Sequence, residues 1–109
     1  MAFAEITQTG TDVQILEVPW DKIFEINGFY IYNGAASAAT VEIKDTYTYN
    51  LGSSSETAGL RTILKTVIPA SSEVNLTRLI GEEIIGTLVI NTDQQPLYVY
   101  VGVKEKGGE

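Results

Sequence analysis

Short runs in which apolar and polar residues alternate fill most of this chain, and such runs predict strands. From Asp12 to Pro19, Val13, Ile15 and Glu17 fall on one side of an extended chain and Gln14, Leu16 and Val18 on the other, with Pro19 ending the strand. Between Lys22 and Asn33 the run KIFEINGFYIYN alternates, meets Asn27-Gly28 and resumes. That pattern is either a tight hairpin or one strand with a bulge at the glycine. Asn33-Gly34 opens a small-residue loop, Ala35 to Ala39, after which Thr40 to Asp45 alternates with Val41 and Ile43 inward. Thr46 to Asn50 continues the alternation through Tyr47 and Tyr49, and Gly52-Ser53-Ser54-Ser55 gives a polar connection.

Leu60, Ile63, Leu64 and Val67 recur at helical spacing, but β-branched Thr62, Ile63, Thr66, Val67 and Ile68, closed by Pro69, favour a strand. Ser72 to Leu76 is a short alternating piece, and Arg78 to Glu83 reads as one irregular turn. Gly86 to Asn91, a turn at Thr92–Pro96, and Leu97 to Val103 together predict a hairpin. The whole predicts an all-β chain, an antiparallel β-sandwich or jelly-roll-like barrel of seven or eight short strands. Its parts are an N-terminal arm or edge segment (1–11), one sandwich domain (12–103) and a charged, fraying tail (104–109).

Composition then narrows the chemistry. The 109 residues are enough for a real core, and they include neither cysteine nor histidine. Disulfides, thiolate metal sites and the commonest general base are thereby excluded, so no cofactor and no enzymatic activity are expected. A net charge of −7 repels phosphate backbones, which argues against nucleic acid as a partner. The start, Met1-Ala2-Phe3-Ala4-Glu5, lacks the regions of a secretory signal, and no apolar run approaches the ~20 residues that span a bilayer, so no membrane association is expected.

Candidate constellations each have an ordinary reading beside the chemical one. Glu82-Glu83 could serve a glycosidase only if carboxylates faced each other across a sugar, and reads as solvated surface. Asn91, Asp93 and Gln95 have the alternate spacing of calcium-loop oxygens, but the glycine and terminal glutamate of such a loop are missing, and the segment reads as a turn. Asn75-Leu76-Thr77 is a formal glycosylation triplet that matters only in a secreted eukaryotic chain, and Ser53-Ser54-Ser55 has no base to activate a hydroxyl. No catalytic, cofactor-binding or metal residue is assigned, and no small-molecule substrate is expected.

The tyrosines carry more. In the last strand Leu97, Val99, Val101 and Val103 share one face, so Tyr98 and Tyr100 share the other. Tyr30 with Tyr32, and Tyr47 with Tyr49, repeat the layout. Aromatics with a polar tip suit surfaces that meet a partner. These six and Trp20, which stands at a strand end as a core plug or a contact, are the interface candidates.

The stretches FYIYNGAASAATVEIKD, TVIPASSEVNLTRLIGEEIIGTLVIN and QPLYVYVGV, covering roughly Phe29 to Val103, resemble small accessory proteins of tailed-virus particles. The resemblance implies a non-catalytic β-sandwich that decorates or cements a capsid, or lines a neck or tail. It implies a homo-oligomer that binds a capsid or other particle protein and resides in the virion after synthesis in the host cytoplasm. The alternative reading of the tyrosines is a carbohydrate-binding or adhesion module at an extracellular surface.

Overall fold

Alternating sequence becomes strand wherever one face can be buried, and here two sheets bury each other. The computed structural model describes residues 2–19, 21–49 and 57–106, with the backbone alone described at 48, 49, 57 and 58. Among these are nine strands: β1 (Ala2–Ile6), β2 (Val13–Glu17), β3 (Ile23–Asn33), β4 (Ala39–Tyr49), β5 (Thr57–Ile68), β6 (Glu73–Asn75), β7 (Glu83–Ile84), β8 (Thr87–Thr92) and β9 (Leu97–Lys106). One 3-10 turn, Thr77–Leu79, lies between β6 and β7.

The first sheet has the order β1-β9-β3-β6, with β7 also along β3, and the second has β2-β8-β4-β5; every pairing is antiparallel. Among the described residues, consecutive strands pair directly only at β4–β5, and the chain otherwise crosses between sheets or runs along β3. This is the strand order of a jelly roll of eight strands, with one of them broken into β6 and β7. The count exceeds the expected seven or eight for that reason, and because the N-terminal segment is itself an edge strand hydrogen-bonded to β9.

The Lys22–Asn33 segment is one strand with a bulge, not a hairpin: the register against β9 shifts between Ile26 and Gly28. Ile26 and Phe29, three apart, both reach the core because Asn27 is the extra residue. Its side chain lies over Gly102 of β9, where a Cβ would stand 2.6 Å from the Asn27 Oδ1. The predicted terminal hairpin is corrected as well. β8 belongs to the second sheet and β9 to the first, and the turn between them, which contains a cis Gln95–Pro96 peptide, carries the chain across the sandwich. Alternation within each strand is the same whichever neighbour it pairs with, so the pattern alone suggested a hairpin. Asp93 ties this turn to β4, its N–H donating to the Thr40 carbonyl (3.3 Å) and its Oδ1 accepting from the Thr40 N–H (2.8 Å). The tail reading is corrected for Lys104–Lys106, which extend β9 and pair with β3; residues 107–109 lie outside the described residues.

The core is aliphatic apart from one ring, with Ile26, Phe29, Ile31, Val99 and Val101 of the first sheet facing Val41, Ile43, Ile68, Leu88 and Ile90 of the second, all fully buried. Each such side chain contributes roughly 1.5–3 kcal/mol on burial. Two buried polar side chains join the sheets. Asn33 donates from Nδ2 to the carbonyls of Ser37 (3.0 Å), Ile68 (3.1 Å) and Pro69 (3.2 Å) and accepts from the Ala35 N–H (2.9 Å). Asp45 of β4 accepts the N–H groups of Ile85 (3.1 Å) and Gly86 (3.0 Å), with the Arg61 guanidinium 3.7 Å away.

Gly86 is where the chain passes from β7 to β8, and a Cβ there would stand 1.7 Å from the Thr46 carbonyl oxygen. Gly86→Ala is therefore expected to cost about 3 kcal/mol or more, by displacing backbone from backbone. Gly10 has φ 73° and open space around it, so Gly10→Ala is expected to cost only about 1–2 kcal/mol for the left-handed conformation. Urea denaturation followed by circular dichroism distinguishes the two, and equal losses would contradict the assignment.

Candidate functional site

Because Ile31, Val99 and Val101 point inward, their neighbours on β3 and β9 point out of the first sheet. Cross-strand register then assembles two rows. One runs Phe3–Tyr100–Tyr30–Asn75 over β1, β9, β3 and β6; the next runs Glu5–Tyr98–Tyr32–Glu73. Five aromatic side chains from three strands thus stand together on one outer face. Four of them keep much of their surface in water: Phe3 62%, Tyr100 44%, Tyr30 42% and Tyr32 42%.

The rings support one another. Phe3 meets Tyr100 edge-on at a centroid distance of 6.1 Å, and Tyr32 and Tyr98 lie 6.1 Å apart with their planes tilted by 33°. Tyr98 is also backed by the turn that precedes β4, its Cε2 lying 3.2 Å from where a Cβ on Gly34 would be. Between the rings is an open depression of about 370 Å³ lined by Phe3, Tyr30, Tyr32, Glu73, Tyr98 and Tyr100. A fully buried aromatic side chain contributes roughly 150–250 Å², so five half-covered rings offer on the order of 500 Å². A standard interface takes about 800 Å² per partner, so the rings alone match the area of an interface centre and fall short of a whole interface.

The same sheet face changes character beyond the Asn27 bulge. Lys104 faces Glu25 at 3.9 Å and Lys106 bonds Glu83, while on the opposite parity of β9 Glu105 bonds Lys22 at 2.6 Å. Glu105 holds the Lys22 ammonium above its ordinary value of 10.5, chiefly through that hydrogen bond. Glu82 pairs with Arg61 at 3.3 Å, so the Glu82-Glu83 doublet serves two cations on the surface and does not form a facing carboxylate pair.

The outer face of the second sheet carries polar side chains that pair with one another, with Leu60 and Val67 exposed among them. Asp12 accepts from Lys44 Nζ (2.9 Å) and Asn91 Nδ2 (3.0 Å), and Glu42 accepts from Thr62 (3.1 Å). A shallow depression of about 450 Å³ beside them is lined by Thr9, Gly10, Thr40, Glu42, Lys65, Asn91, Thr92 and Asp93. Two of the side chains considered for a calcium loop have structural partners: Asn91 donates from Nδ2 to Asp12, and the Asp93 Oδ1 accepts the Thr40 N–H.

Of the residues singled out in the sequence, Tyr30, Tyr32, Tyr98 and Tyr100 come together. Tyr47 does not join them. It lies in the second sheet on the core-facing parity of β4, against Gly59 of β5, where a Cβ would stand 2.5 Å from its Cε2. Tyr49 follows on the same strand with its side chain outside the described residues, as are Trp20 and Ser53-Ser54-Ser55. Sequence reasoning missed Phe3, Glu5 and Glu73 as members of the face. The signal for the first two was present in Ala2-Phe3-Ala4-Glu5-Ile6, whose alternation is that of an edge strand. No protein-family model matches the chain, and no curated protein or solved structure matches it either.

The hydrogen bonds from Asn91 and then Lys44 hold the Asp12 carboxyl below its ordinary value of 3.8. A carboxylate lowered in the folded state stabilises above the unfolded value, and that contribution is lost as pH falls through the folded one. Asp12→Asn is therefore expected to lower stability at neutral pH and to flatten the fall in stability below pH 3.8. Urea midpoints measured across that range check it; a parallel fall in wild type and variant would contradict it.

Proposed function

We propose that this chain is a non-catalytic structural protein of a virus particle, a capsid decoration or cement protein that docks through the outer face of its first sheet. One observation carries the docking part: five aromatic side chains gathered from three strands on an exposed face, four of them paired ring against ring. A well-packed group of tyrosines is the usual composition of an interface centre.

The particle assignment is supported by the resemblance of Phe29–Val103 to tailed-virus accessory proteins. The strand order is one that viral capsid domains use, an analogy of fold and not of site. On this reading the protein resides in the virion, and its copies form a symmetric oligomer. A non-enzymatic role is supported by the lack of histidine and cysteine and by the engagement of Asp45, Glu82 and Glu83 in structural bonds. The open depression among the rings favours one second reading, a carbohydrate-binding module in which a sugar stacks on Tyr32 and Tyr98.

The test is co-sedimentation with capsids assembled from the major capsid protein encoded in the same genome. Replacing Tyr98 and Tyr100 together by Ser is expected to weaken retention at least tenfold, about 1.4 kcal/mol, with the circular dichroism spectrum unchanged. Unchanged retention, or a genome with no capsid gene, overturns the reading. Specific binding to a glycan array, lost in the same double variant, favours the carbohydrate reading in its place.

A further inference from the structure

The aromatic face lacks one kind of group. Among the described residues no basic side chain lines its depression, and neither Glu5 nor Glu73 has an ion-pair partner. The cations of this sheet stand beyond the bulge, already paired with Glu25, Glu83 and Glu105. In the row Glu5–Tyr98–Tyr32–Glu73, two tyrosines are flanked on either side by a carboxylate that has nothing to neutralise it. Three strand spacings separate the two glutamate Cα atoms, about 14 Å. Both side chains can lean toward a group seated over the tyrosines.

We infer that the occupant of this face is an arginine-bearing segment of the partner protein, its guanidinium lying over Tyr32 and Tyr98 with Glu5 and Glu73 closing on it from the two sides. The inference rests on the docking role proposed above and names the chemistry of the partner. Tyrosine faces attract cations through their quadrupole, and a planar guanidinium both stacks on a ring and bonds a carboxylate side-on. The charge of this chain works in the same direction, since a net −7 draws a basic partner toward it over distance.

The same charges argue against a second copy. Two copies packed through this face about a two-fold axis would enclose four carboxylates around one aromatic layer with no cation among them. Lys104, on the same side of β9, stands four residues beyond Tyr100, about 13 Å along the strand, and is already opposite Glu25. A shift that brought it to Glu73 would slide the aromatic layers apart. A neutral sugar leaves both carboxylates unneutralised.

The experiment uses the full chain, labelled with nitrogen-15 and titrated with the capped pentapeptide Gly-Arg-Gly-Arg-Gly, and with the same peptide carrying citrulline, which keeps the shape of arginine and removes its charge. Amide shifts are expected in β1, β6, the outer half of β3 and the start of β9. The citrulline peptide is expected to bind about fivefold more weakly, the equivalent of about 1 kcal/mol. Glu5→Gln with Glu73→Gln is expected to bring the arginine peptide to the same level with the fold unchanged. Equal binding of the two peptides, shifts spread over the whole acidic surface, or no effect of the glutamine pair overturns the inference. So does a fall in solution mass by light scattering in the Tyr98→Ser, Tyr100→Ser variant, which would assign the face to another copy. The capsid assay separates this inference from the reading it rests on. Retention lost with the serine pair and kept with the glutamine pair leaves docking in place and removes the arginine, whereas retention kept with both removes docking itself.

Discussion

The burial of β3 and β9 against β4 and β8 is the constraint from which the rest of this structure follows. With Phe29, Ile31, Val99 and Val101 fixed inward, the period of two in an extended chain leaves Tyr30, Tyr32, Tyr98 and Tyr100 nowhere to go but outward. Antiparallel register then places them side by side, and β1 adds Phe3 at the margin. The aromatic face is thus the other side of the core: a one-residue slip of β9 would bury the tyrosines and expose the valines together.

The bulge at Asn27 divides that face in chemistry as well as in geometry. Before it, Glu25 looks outward to Lys104; after it, Tyr30 and Tyr32 do. The extra residue restores Ile26 to the core, so both halves of a long strand bury apolar side chains although their alternation is out of phase. One end of the sheet is consequently a set of satisfied ion pairs, contributing little to stability at the surface. The other is a group of rings with uncompensated carboxylates beside them, where binding energy remains to be gained.

Two buried polar groups keep the sandwich from sliding. Asn33 gathers carbonyls from its own loop and from the end of β5, and Asp45 gathers amides from the β7–β8 turn. Asn33 stands at the end of β3, and Asp45, within β4, lies against the β7–β8 turn; at both passages between sheets backbone groups would otherwise be buried without partners. They look like ordinary loop and strand-end residues in the sequence, and their importance comes from what surrounds them.

Alternation together with glycine and proline placement was enough to specify an all-β sandwich and to put Tyr98 and Tyr100, like Tyr30 and Tyr32, on the strand face opposite their apolar neighbours, because these depend only on the period of an extended strand and on residue chemistry. They could not specify which strands are neighbours. The run Gly86–Val103 reads as a hairpin, and Tyr47 reads like Tyr98, since a strand carries the same pattern whichever sheet it joins and the signs of inside and outside are relative until a partner is fixed. Tertiary structure sent β8 and β9 to opposite sheets, turned Tyr47 to the core side, and drew Phe3, Glu5 and Glu73 from distant segments to the margin of one face. Pairing between residues far apart in sequence is decided by the burial of whole sheets, a property of the folded chain and not of any segment of it.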